Sequence, residues 1–223
     1  MHNARRTARD LTDLAADLPA DLPADLLADL LAPLGEPAVA VADPERRLLA
    51  VACADGYGEA LDLGLFETGA APRLVRRLTF GLSVNALAFH PELPLLAVGT
   101  GDYDGGHRFE GGLFLVDLDA PSRGPRALFA RRTDRQVLAL HWPDPQRLRL
   151  HLAPPDDEGD RAAHTEAHTV LLHRTDWTAV PSGSLTGQHL RGPRGPFPRP
   201  DGRAAARALA ARLLTPPVHR HDR

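Results

Sequence analysis

Leucines recur every fourth position from Leu14 through Leu18, Leu22, Leu26 and Leu30, with an aspartate ahead of most of them. That spacing keeps them near one helical face. Pro19 and Pro23 lack the amide hydrogen and clash with the preceding turn, so two short helices are expected rather than one. The second should begin near Asp21 and stop ahead of Pro33 and Gly35. From residue 37 to residue 180 the pattern shortens to apolar runs of strand length, some alternating, punctuated by Pro, Gly and Asp. Beyond it, PSGSLTGQHLRGPRGPFPRPDG reads as a linker. RAAARALAARLL then reads as a helix, with Asp201 as its N-cap and Pro216-Pro217 as its stop.

The strand-rich region repeats. Stretches starting at Ala38, Asn85 and Val137 each carry an apolar strand, a proline turn, a second apolar strand, a long polar loop and a third strand. Pro44, Pro91 and Pro143 mark the register, giving spacings of 91 − 44 = 47 and 143 − 91 = 52 residues. A fourth strand is expected at residues 73–80 and 127–131, and near Ala179 in the third unit. An incomplete array of such units would expose sheet faces and edges that invite association.

The middle unit, VNALAFHPELPLLAVGTGDYDGG…GGLFLVDLD, resembles a blade of the WD-repeat β-propellers. Val116-Asp117 stands where that family has Trp-Asp, Phe66-Glu67 and His173-Arg174 hold the equivalent places, and no Gly-His opens a unit. The resemblance implies a mainly β chain of three propeller-like antiparallel blades flanked by short N- and C-terminal helices. The divisions are a helical extension over 1–36, blades over 37–180, and a Pro/Gly/Arg-rich linker with a helix over 181–223. It also implies a non-catalytic protein-interaction or scaffold role. Closed propellers use about 4 to 8 blades, so three must be completed. The leucine-rich N-terminal segment, a second copy of the chain, or docking on a larger propeller could each do so.

Corresponding loops of such repeats emerge on one face. The loops between second and third strands hold Tyr57 in the first unit and Asp102, Tyr103, Asp104, His107, Arg108, Phe109 and Glu110 in the second; the third contributes Asp157, His164 and further acidic residues. Tyr57, Tyr103 and Phe109 are expected to supply contact area and the charges around them orientation, since aromatic groups dominate interface energetics. Replacing Tyr103 and Phe109 together with Ala should therefore weaken partner binding, read by co-purification, without unfolding the chain.

Metal and nucleophile motifs fail on spacing. Asp102-Tyr-Asp104 opens like a calcium loop, but Leu113 falls where the bidentate Glu would be. His164-Thr-Glu-Ala-His168 is not the zinc-hydrolase order. Ser182-Gly-Ser184 does not match a nucleophile elbow, and the Gly99–Gly106 glycines do not match a dinucleotide fingerprint. No motif calls for a cofactor.

Charge adds two constraints. With 26 basic and 29 acidic residues the net is −3, so no global positive field recruits nucleic acid or lipid. All basic residues are arginine, and without lysine a P-loop clamp or a Schiff base is ruled out. Cys53 is the only cysteine, which excludes an intrachain disulfide and suits a cytoplasmic location. Neither an export signal nor a membrane-spanning run is visible. Two other function classes stand beside the interaction module: a propeller-type hydrolase or lactonase with an acidic metal site, and nucleic-acid binding through the arginines of residues 191–212.

Overall fold

Each repeat folds into its own four-stranded antiparallel sheet with strands in chain order. The computed structural model describes residues 24–55, 57–131, 135–199 and 201–215. Sheet I contains β1 (Glu36–Asp43), β2 (Leu48–Ala54), β3 (Asp62–Glu67) and β4 (Arg73–Thr79). In sheet II are β5 (Val84–Phe89), β6 (Leu95–Tyr103), β7 (Phe109–Asp117) and β8 (Arg126–Ala127). Sheet III comprises β9 (Val137–Asp144), β10 (Arg147–Leu152), β11 (Glu166–His173) and β12 (Arg194–Pro196). Two helices, α1 (Ala24–Leu31) and α2 (Arg203–Leu214), flank them. Among the described residues, no helix is long and apolar enough to cross a membrane.

The proline register survives in three dimensions. Leu48, Leu95 and Arg147 open the second strands, each four residues after Pro44, Pro91 and Pro143. The third strands end at Glu67, Asp117 and His173. The first of the two helices expected near the N-terminus lies outside the described residues, and α1 is the second. At α2 the N-cap position is Gly202, one residue later than expected. Asp201 still supplies the first turn, its carboxylate accepting the Arg203 amide hydrogen at 3.0 Å.

Packing explains the alternation. Leu49, Val51, Cys53 and Phe66 project from one face of sheet I beneath Leu31, Leu34, Ala210 and Leu214 of the helical cover. Ala50, Ala52, Leu63 and Leu65 project from the other face and meet Leu87, Leu96, Val98 and Val116 of sheet II. Leu95, Ala97, Leu113 and Leu115 leave the far face of sheet II and pack on Leu148, Leu150, Leu152, Val170, Trp142 and Trp177. Strands β2 and β6 are thus apolar on both faces, each fully buried leucine contributing about 1.5–3 kcal/mol. The two ends of the stack differ. α1 and α2 cover sheet I, whereas the outer face of sheet III presents Arg149 between His141 and Leu171 in the strand register.

At the turn end, each unit is tied to the next. Arg46, ion-paired with Asp43, donates to the carbonyls of His90 and Glu92, the latter at 2.6 Å. His90 in turn donates from Nε2 to the Pro145 carbonyl at 2.8 Å while its Nδ1 accepts from the amides of Glu92 and Leu93. That pattern requires a neutral ring, and burial accordingly pushes the His90 pKa down.

The segment after Val180 differs from expectation. Its fourth-strand contribution is β12, not the region near Ala179. Leu185 and Leu190 are buried in the core shared by sheets II and III, and Leu185 bridges Phe129 in parallel. Gly and Pro supply the bends, but two leucines need cover, so residues 181–199 pack on the β domain instead of linking it to α2.

Cys53 lies under α2 and reports on that cover. Burial, with Asp62 adding a smaller push, raises its thiol to about 12. In the native chain it should be silent to a thiol reagent at mildly alkaline pH. Ala210→Asp, which places a carboxylate in the buried seam, should make it reactive while circular dichroism still reports strand. A silent thiol in a folded variant would contradict a seam held by α2.

Candidate functional site

The β6–β7 hairpin is the longest ladder in the molecule and reaches from Leu95↔Asp117 to Tyr103↔Phe109. Its tip, residues 104–108, is made by Asp104 and glycine. The Asp104 Oδ1 accepts the amide hydrogens of Gly106 at 2.7 Å and Arg108 at 2.9 Å, and Gly105 takes φ 74°. Those two amides hold the Asp104 carboxyl below its ordinary range, the Arg108 bond more than the Gly106 one. Asp102 is engaged lower down, its Oδ2 accepting the Ser83 amide at 2.9 Å. One step further from the tip the ladder pairs Gly101 with Gly111. The chain at Arg135 and Gln136 crosses there so closely that a β-carbon on Gly111 would sit 2.4 Å from the Arg135 carbonyl oxygen. Gln136 Nε2 donates to the Gly101 carbonyl at 3.1 Å. These glycines serve close backbone approach, the reason they form no phosphate-binding fingerprint.

The tip is zipped to the polar loop of the third unit. Arg108 bridges Asp156 in antiparallel fashion, the Phe109 amide donates to the Pro155 carbonyl at 3.2 Å, and the Asp157 amide donates to the His107 carbonyl at 3.0 Å. Three side chains then converge on one carboxylate. His107 Nδ1 lies 2.8 Å from Asp157 Oδ1, while His164 Nε2 and the Tyr103 hydroxyl lie 2.8 and 2.9 Å from Oδ2. These donors bring the carboxyl down to about 2, His164 contributing most and His107 next. An ionised carboxylate only accepts, so both ring nitrogens carry hydrogen. The same bond to Asp157 raises the pKa of His107 and that of Tyr103.

Aromatic contacts brace this junction. The Tyr103, Phe109 and His164 rings meet pairwise at centroid separations of 5.0–5.1 Å, and the Arg199 guanidinium lies 5.4 Å from the Phe109 centroid. Phe109 itself is only 1% exposed and packs with Ala153, Ala163 and Leu138. Its expected role as a partner contact is therefore corrected, and with it the expectation that replacing Tyr103 and Phe109 together would leave stability untouched. Alternation along β7 turns its ring into the gap between the second and third units, where it holds them together.

The remaining sequence candidates fall into two groups. Tyr103 and His107 join the cluster and remain reachable, Tyr103 being 38% exposed. Arg108 is exposed at the tip and Glu110 half-buried beside it. Tyr57 stands in the turn between β2 and β3, 94% exposed, its amide bonded to Asp55. Among the described residues, no hydrogen bond or ring contact joins Tyr57 to the Asp157 cluster. The sequence places Asp157 and His164 in the third loop without singling out either one. Their only signal is membership in a run of carboxylates and histidines that follows no spacing rule. His168, four residues after His164, lies apart, with Nδ1 facing the Gly192 carbonyl at 3.0 Å. Among the described residues, no group of three or more His, Cys, Asp or Glu is placed to hold a metal ion.

Phe109→Ala should destabilise the fold by roughly 3–5 kcal/mol, the usual effect of emptying a buried aromatic site. A urea unfolding midpoint matching that of the unchanged chain would remove Phe109 from the core. No protein-family model and no curated protein matches the chain.

Proposed function

We propose that this chain is a non-catalytic protein-interaction module, a WD-repeat-like partial β-propeller that presents its loop end to a protein partner. The observation that carries the reading is Tyr103, a half-exposed aromatic side chain held in one orientation by Asp157, Phe109 and His164 on a surface shared by two repeats. A rigid amphipathic ring is what interface anchors require, because little conformational entropy is lost on binding. Three successive meanders with a common proline register support the propeller likeness.

Two further observations narrow the reading. The oxygens of Asp102, Asp104 and Asp157 accept hydrogen bonds from amides and side chains, which favours a binding surface over an acidic ion site. Two-fold pairing of copies through the outer face of sheet III would bury Arg149 and His141 of both copies beside a single exposed leucine, Leu171, which favours a different protein as partner. A cytoplasmic location agrees with a lone, buried thiol.

Tyr103→Ala should keep the chain folded while lowering its unfolding free energy by about 1–3 kcal/mol, since the hydroxyl bond to Asp157 and the ring contacts are lost. It should also abolish retention of the proteins that the unchanged chain captures from its host lysate. Tyr57→Ala, made in parallel, tests whether the first loop belongs to the same surface. Identical captured sets for the unchanged chain and Tyr103→Ala would reject the assignment.

A further inference from the structure

His107 belongs to the sheet II hairpin and His164 to the sheet III loop, yet both meet the same carboxylate. The backbone at His107 has φ 113°, a region that glycine enters freely and other residues rarely do. Two bonds hold it there, both to Asp157: the imidazole donates to the carboxylate, and the carbonyl accepts the Asp157 amide hydrogen. Tip geometry and tip charge are therefore coupled through one residue.

We propose that the Asp157 cluster is a proton-gated latch, closed when His107 carries a proton and loosened when it loses it, and that closure is what presents Tyr103 to a partner. The second half rests on the reading of Tyr103 as a contact residue; the latch itself does not. The charged surroundings favour the closed form. Asp104 on the hairpin and Glu158 on the facing loop add to the pull of Asp157 on an imidazolium. Arg108 on the tip faces Asp156 across a backbone β-bridge, and His164 shares the Asp157 carboxylate. Arg199, from the segment after β12, lies over the Phe109 ring and donates to the Ala163 carbonyl.

The sign follows from linkage. His107 titrates above its ordinary value in the closed state, so its contribution is complete below that ordinary value and disappears as pH rises through the raised one. Asp157 titrates at about 2, so its contribution is present above the ordinary carboxylate range and disappears as pH falls toward that figure. Closure should be maximal in mild acid and should weaken on both sides.

Hydrogen exchange of the full chain, corrected for intrinsic rates, tests this at residues 104–109 and 155–158. Protection should fall about two- to fivefold between about pH 5.5 and about pH 9, the range over which a histidine changes charge and the worth of a largely exposed ion pair is lost. Asp157→Asn, which keeps shape but removes the charge, should flatten the profile. His107→Gly, which suits the backbone angle but lacks the ring, should flatten it as well. A flat profile in the unchanged chain, or the same fall in Asp157→Asn, overturns the latch whatever happens to binding. Capture that Tyr103→Ala leaves intact overturns the contact reading whatever the exchange profile. Capture that depends on Tyr103 but not on pH overturns the gating, whereas capture that declines in step with protection supports it.

Discussion

Strands apolar on both faces cannot persist in water as part of an isolated sheet, and β2 and β6 are both of that kind. From this constraint the rest of the architecture follows. Sheet II needs a neighbour on each side, which makes three the smallest arrangement that satisfies it. Sheet I, buried inward against sheet II, still carries Leu49, Val51 and Phe66 outward, and α1 and α2 exist to cover them. Sheet III ends the stack by a different device, a change of side-chain chemistry to Arg149, His141 and His151 on its outer face, as terminal units of repeat proteins commonly do. One end is sealed by added structure and the other by polarity.

Apolar stacking alone would leave the sheets free to slide, and the polar contacts at the two ends oppose that. At the turn end the Arg46 and His90 bonds are made to backbone carbonyls, and the His90 ring is held neutral by burial. At the loop end the tie is a charged carboxylate shared by two histidines and a tyrosine. The first kind of tie needs a neutral ring and weakens as acid drives a proton onto His90, whereas the proposed latch weakens as His107 loses one, so the two ends of one stack would be released by opposite changes in pH.

Much of the fold was legible in the sequence because its signals are local. The three proline turns, the alternation in β1 to β3 and the propensity of RAAARALAARLL each act over a few residues, and the structure places elements where they point. What was not legible depends on distant partners. Leu185 and Leu190 sit among glycines and prolines, and only the core they enter shows that the segment is not a linker. Phe109 looked like a surface ring because its neighbours in the chain are polar; the residues that bury it, Ala153 and Ala163, come from another repeat. Asp157 could not be chosen from among five nearby acidic residues by spacing, since it is set apart by who donates to it.

The placement of α2 has a bearing on how the chain is made. Arg207 pairs with Glu36 across 171 residues, so the lid over the first sheet is made well after the strands it covers. At ribosomal speeds of roughly 5–20 residues per second, sheet I would wait about 7–27 seconds, its oily side bare, for that helix to emerge. Until that helix arrives Leu49, Val51 and Phe66 stand uncovered, so making the first sheet and closing it are separate events in time.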